Sequence, residues 1–176
     1  MEKDIEMNKE KSTSISISDE IDYSGRPFDF RGEIKETALI CELDPIIRQK
    51  ISEALKSLEY NIIEPTTYKD AIKYFSFHTF NVVVVNENFE NDTSGVNPVL
   101  TYLEKMSMSL RRKIFVVLVS ATFATMDYMH SLNKSVNLII NEDEIAELPL
   151  ILKKEIEENE YFYHVYKEYN RKYGKI

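Results

Sequence analysis

From residue 36 onward, short unbroken apolar runs alternate with longer stretches in which apolar residues return every three or four positions. Residues 37–42 (TALICE), 61–64 (NIIE), 81–85 (NVVVV), 113–120 (KIFVVLVS) and 136–140 (VNLII) are the short runs. They are rich in β-branched residues and read as strands buried on both faces. Between them lie helical patterns. Asp44 and Pro45 supply an N-cap and a first-turn proline. Ile46, Ile47, Ile51, Ala54, Leu55 and Leu58 then form an apolar stripe. Thr67 is expected to cap a second helix carrying Ala71, Ile72 and Phe75. Pro98 opens a third with Val99, Leu100, Leu103 and Met106. Residues 122–133, with Met126 and Met129, make a fourth, and a fifth runs from Glu144 to about Tyr173. Strands alternating with helices predict an α/β fold: three layers, a doubly wound five-stranded parallel sheet with helices on both faces, and an extended C-terminal helix.

That last helix would be about 45 Å long at ~1.5 Å per residue, roughly twice what a sheet of this size covers. Leu148, Leu150, Ile151, Leu152 and Ile156 are expected to pack on the sheet. Beyond them Phe162, Tyr166, Tyr169 and Tyr173 recur on one face with Val165 alongside, among Lys and Glu. Aromatic bodies with polar tips and a charged rim suit an interface, with a protein partner or with a second copy. The alternative is a segment that folds back on its own domain.

Residues 1–33 are polar, charged and punctuated by Ser, Gly and Pro, so a disordered or loosely ordered leader is expected there. Within it, Ser14, Ile15, Ser16, Ile17 and Ser18 alternate with period two and would suit a sheet edge, and Phe28 and Phe30 would pin the leader to the domain. The expected organisation is a leader over 1–33, a domain over 34–159 and an aromatic helical extension over 160–176.

Composition narrows the function. Hydrophobic residues make up 43% of the 176, enough for a core, and the net charge is −8. An acidic chain lacks the basic face that nonspecific nucleic-acid binding or an anionic membrane surface requires. Its apolar runs are far shorter than the ~20 residues that span a bilayer. One cysteine, Cys41, sits inside an apolar run and reads as a buried structural thiol in a reducing cytoplasm. The three histidines, His78, His130 and His164, have no ligand spacing, so no metal is expected. Only 4 glycines are present and no phosphate-cradling loop is among them. No cofactor is expected.

In a doubly wound sheet, chemistry sits at the C-terminal strand ends. Here those ends carry Glu42, Leu43 and Asp44, then Asn86 and Glu87, then Ser120 and Ala121, then Asn141 and Glu142. The ELDP turn after strand one, the polar residue ending strand three, Ser-Ala ending strand four and the polar residue ending strand five resemble the CheY-like receiver domain of bacterial response regulators. The resemblance covers residues 37–159, and LDPIIRQKISEALKSLEY is similar in character to that family's first helix. It implies a flavodoxin-like strand order 2-1-3-4-5.

A working receiver places a phosphoacceptor aspartate at the end of strand three, an acidic pair after strand one, a hydroxyl after strand four and a lysine after strand five. Carried over by position, the acceptor falls on Asn86, the acidic pair on Glu42 and Leu43, the hydroxyl on Ser120 and the lysine on Asn141. The aromatic switch position on strand five falls on Leu138. An amide is not a nucleophile toward phosphoryl groups. Glu42 beside Leu43 is a poor Mg²⁺ site, and without the lysine no fixed cation neutralises a developing phosphoryl charge. Asp44 and Asp92 are weaker acceptor candidates, better read as a helix cap and a solvated loop residue. Asn86 is read as a structural residue that relieves repulsion among acids; the rival reading is that it mimics a phosphorylated-like state.

The expected function is a non-enzymatic, phosphorylation-independent pseudo-receiver: a protein–protein interaction or adaptor module in bacterial two-component signalling, located in the cytoplasm. The alternative is an atypical receiver that responds to a small ligand or metal at the strand ends, with Glu42, Asn86, Glu87, Ser120 and Glu142 lining a polar pocket.

Overall fold

The structure, a computed structural model, describes residues 36–91 and 95–174. The expected leader, its alternating SISIS segment, Phe28, Phe30 and Asp92 lie outside the described residues. Strands β1 (Thr37–Cys41), β2 (Asn61–Ile63), β3 (Val82–Asn86), β4 (Phe115–Ser120) and β5 (Leu138–Asn141) form one parallel sheet in the order β2-β1-β3-β4-β5. The order reverses between β1 and β3, so the ends of these two strands flank the switch point.

Alternation along the strands sorts side chains between the two faces. Ala38, Ile40, Val82, Val84, Val117, Val119, Leu138 and Ile140 pack with α1 (Pro45–Ser57) and the last helix. Leu39, Cys41, Val83, Val85, Val116, Leu118 and Ile139 pack on the other face, against residues of α2 (Tyr68–Phe77) and α3 (Pro98–Glu104). Burial pushes the Cys41 thiol's pKa up, as expected of an inert structural thiol. Asp44 caps α1 by accepting from the N–H groups of Ile46 (2.7 Å) and Ile47 (3.1 Å), and the Thr67 hydroxyl caps α2 through Asp70 N–H.

Several elements differ from the pattern-based expectation, each for a local reason. Ile46 is exposed rather than part of the α1 stripe, because it stands in the first turn, outside the Ile51–Leu55 contact line. The third helix ends at Glu104, and a separate short turn, α4 (Met108–Arg111), precedes β4, which starts at Phe115 rather than 113. Residues 122–133 are not one helix. Only α5 (Tyr128–Asn133) is helical, and Met129 is exposed. The preceding loop gives its polar groups to β5: Thr125 Oγ1 accepts from Asn141 N–H at 2.9 Å, and Met126 N–H donates to the Ile139 carbonyl at 2.9 Å. Asp127 then caps α5 by accepting from His130 N–H at 3.0 Å.

Residues Glu142–Glu147 form a 3-10 turn, and α6 (Leu148–Lys172) begins where Pro149 fits the first turn. At 25 residues it is about 38 Å long at ~1.5 Å per residue. Leu148 and Leu152 are fully buried four residues apart, with Ile151 and Ile156 beside them. Leu150, expected in the core, is 73% exposed because it lies about 200° around the helix from Leu148. No helix among the described residues is long and apolar enough to cross a membrane.

Candidate functional site

The C-terminal ends of β1, β3 and β4 bring Glu42, Asn86 and Ser120 to one edge of the sheet, where they are 3%, 6% and 0% exposed. Each stands at the end of a buried apolar strand, TALIC before Glu42, VVVV before Asn86 and FVVLV before Ser120. Asn86 is the hub. Its carboxamide nitrogen donates to Glu42 Oε2 at 2.7 Å and to Glu142 Oε1 at 2.9 Å. Its Oδ1 accepts from Asn88 N–H at 2.8 Å. Two carboxylates are thus held on one neutral group with both amide hydrogens used. Bonds of this kind, with an ionised acceptor, contribute about 1.5–3 kcal/mol each.

Glu42 is held as firmly. Its other oxygen accepts from Asp44 N–H at 2.9 Å, and Arg48 Nη1 donates to its carbonyl at 3.2 Å. Leu43 is exposed and offers no oxygen beside it. Asp44, the weaker acceptor candidate, is engaged as the α1 cap.

Ser120 turns its hydroxyl along the chain. Its Oγ accepts from the N–H groups of Thr122 (3.0 Å) and Phe123 (3.1 Å), with Thr122 Oγ1 at 3.1 Å. The hydroxyl therefore closes the turn after β4. Ser120→Ala would leave two backbone donors without that acceptor, and we expect a loss of about 1–3 kcal/mol in urea unfolding. An unchanged midpoint would contradict this role.

Asn141 shapes the facing loop. Its Nδ2 donates to the Phe123 carbonyl at 2.9 Å and its Oδ1 accepts from Asp143 N–H at 3.0 Å, capping the 3-10 turn that carries Glu142. Leu138 is buried in the core cluster under α6. Glu87 bonds to the loop after β4, accepting from Ala121 N–H at 3.1 Å. Among the described residues no group of three or more His, Cys, Asp or Glu is placed to hold a metal ion, and no buried side-chain polar atom is left without a partner.

One residue that the sequence reading passed over belongs to this edge. Asn97 is buried and caps α3 by accepting from Val99 N–H (3.0 Å) and Leu100 N–H (3.1 Å). Its Nδ2 donates to the Asn86 carbonyl at 2.9 Å, tying the loop after β3 to the hub. The signal was present: Asn97-Pro98 repeats the cap-then-proline pattern of Asp44-Pro45. Asn97→Ala would remove both the cap and this tie, with an expected cost of about 2 kcal/mol read from the unfolding midpoint.

The residues of the last helix lie elsewhere. Past Asn159, α6 reaches the start of the strands, the end of the sheet opposite Asn86: Asn159, Glu160 and Lys167 line one pocket with Glu36, Asn81 and Phe115. The helix continues there without interruption. Tyr166 is 39% exposed, with the Arg112 guanidinium 4.8 Å from its ring centroid. Hydrogen bonds from Asn170 and then from Arg112 hold its phenol below the ordinary pKa. Tyr163, Tyr166, Arg112, Lys113, Lys167 and Arg171 line a cleft of about 390 Å³. Phe162 (76%) and Val165 (75%) are exposed, as are Tyr169 and Tyr173. The five aromatic-face residues are therefore divided: Tyr166 lies against the turn before β4, and the other four face solvent.

No protein-family model matches the chain, and no curated protein matches it. Solved structures do, and many of them are receiver domains. The signal receiver domain of a putative Luxo repressor protein from Vibrio parahaemolyticus is 14% identical, with a TM-score of 0.58 over 75% of this chain and 98% of that one. A CheY-like response regulator receiver domain protein from Methanospirillum hungatei JF-1 is 20% identical, with a TM-score of 0.55 over 72% and 97%. An orphan response regulator of H. pylori is 13% identical, with a TM-score of 0.51 over 68% and 95%. At these identities the likeness shows the fold. It is the CheY-like, flavodoxin-type fold with strand order 2-1-3-4-5 and a long C-terminal helix.

Proposed function

We propose that this chain is a phosphorylation-independent pseudo-receiver that works as a protein–protein interaction module in signalling, without catalysis of its own. One observation carries the reading. Where a receiver needs a free carboxylate, the chain has the Asn86 carboxamide, with both of its hydrogens committed to Glu42 and Glu142. The amide bridges the two acids in the place where a cation would otherwise offset their repulsion. Asn141, at the lysine position, is committed to the loop after β4 and to the 3-10 turn. These bonds leave the edge with a structural role, so the interaction falls to a surface elsewhere. The exposed Phe162, Val165, Tyr169 and Tyr173 of α6 are that surface. Asn86 is read here as structural rather than as a mimic of the phosphorylated state, because its polar atoms serve neighbouring acids and loop backbone.

The ligand-responsive alternative draws no specific support, since the polar atoms of Glu42, Asn86 and Ser120 already serve one another or nearby backbone. Thermal unfolding with Mg²⁺ and acetyl phosphate tests the proposal. A ligand that binds only the native state raises its stability. We expect the melting temperature to stay unchanged with both present. A rise with either one would overturn phosphorylation independence or the empty-handed strand edge.

A further inference from the structure

Resting on the reading of α6 as the interaction surface, we propose that its occupant is a second copy of this chain. The two α6 extensions pair antiparallel, about a twofold axis passing beside Val165. The first ground is which face of α6 the described residues leave uncovered. Tyr163, Tyr166 and Asn170 face the Arg112–Lys113 turn, and Asn170 is buried. The outward line of the helix is Tyr161, Val165 and Tyr169, four residues apart, flanked by Phe162. Residues at this spacing lie on one stripe, long enough to seat a second helix.

The second ground is charge. The turn before the stripe carries Glu157, Glu158 and Glu160, with Lys153 and Lys154 one turn further back; Lys167 and Glu168 lie inside the stripe, and Arg171 and Lys172 follow it. All are exposed. Their present partners within the helix are solvent-exposed pairs, Lys154–Glu158 at 3.6 Å and Lys167–Glu160 at 3.4 Å, which hold little energy. A helix acidic at one end of an apolar stripe and basic at the other is complementary to itself only when reversed. With the axis at Val165, Tyr161 meets Tyr169 of the second copy, and Glu158 meets its Lys172. A parallel pair would set Glu158 against Glu158 and Lys172 against Lys172, which repel. The contact is isologous, so it closes at two chains. Antiparallel pairing also sets the helix dipoles in opposition.

The test uses the full chain. Its one native cysteine, Cys41, is buried and gives no background cross-link. In the antiparallel register, Tyr161→Cys and Tyr169→Cys chains mixed together form a disulfide-linked dimer under mild oxidation, and neither variant alone does. In sedimentation equilibrium, Glu158→Lys or Lys172→Glu weakens the dimer about tenfold, and the double exchange restores it. These positions are exposed, so circular dichroism should report an unchanged fold. Cross-linking of each single-cysteine variant with itself, or failure of the double exchange to restore association, would overturn the register. A monomer up to millimolar concentration, with no cross-link, would overturn self-pairing altogether. Neither result touches the phosphorylation-independent reading, which acetyl phosphate labelling of the wild type would overturn whatever the oligomeric state.

Discussion

Asn86→Asp, a change of one amide to a carboxyl, should destabilise the fold by about 3–5 kcal/mol at neutral pH, the cost of leaving a buried charge uncompensated. The substitution removes two donors and adds a third negative charge between Glu42 and Glu142, at a site 6% exposed. The sign with pH follows from the same contacts. Neighbouring acids and burial raise the folded-state pKa of the new carboxyl above its unfolded value of ~3.9. Stability is therefore retained below that unfolded value and lost as pH rises through the folded one. Added Mg²⁺ should return part of the loss, since three carboxylates then present hard oxygens to a divalent cation. Urea unfolding of both proteins between pH 4 and 8 checks the claim. A variant as stable as the parent at pH 7 would mean that Asn86 is a passive neighbour rather than the bridge.

Leu152→Ala should cost about 2–5 kcal/mol, whereas Val165→Ala on the same helix, measured on the monomer at low protein concentration, should stay within about 0.5 kcal/mol. Leu152 is fully buried between α6 and the sheet, and its truncation leaves a cavity among Leu148, Ile140 and Ile51 that close packing cannot refill. Among the described residues Val165 is 75% exposed. The contrast divides α6 into a half that builds the domain and a half held in place for another purpose. Equal costs at both positions would mean that the extension packs on its own domain, and the interaction reading would lose its surface.

The sheet was legible in the sequence because four of its five strands are buried on both faces; the edge strand β2, read the same way, is only half-buried. Val82–Val85 and Phe115–Val119 leave no polar position to confuse the period, and a doubly covered parallel strand is the one arrangement such runs suit. The positions at the strand ends followed once the strands were placed. What they do with their side chains did not follow. That Asn86 spans Glu42 and Glu142 depends on the 3-10 turn after β5, which brings Glu142 back across the edge over a separation of 56 residues. The helix predicted over 122–133 proved to be only its second half, α5, for a related reason. Residues 121–127 have helical composition, yet Asn141 and Ile139 take their polar groups, a tertiary bond that local propensity does not encode. The start of α6 was within reach, since Pro149 marks it, but the acidic residues before it suited a first turn equally well.

Under the proposed function the two ends of the molecule carry different features. At one end, Asn86, Asn97, Ser120 and Asn141 turn a strand edge into a closed hydrogen-bonded network. At the other, α6 carries an exposed aromatic stripe past the start of the strands.

The most direct measurement is intact-mass analysis of the wild-type chain after incubation with acetyl phosphate and Mg²⁺. The account predicts no added phosphoryl mass, because position 86 is an amide with both hydrogens bound and Asp44 is occupied by its helix cap. A phosphoryl adduct removed by hydroxylamine, on Asp44, Glu87 or any other carboxylate, would contradict it.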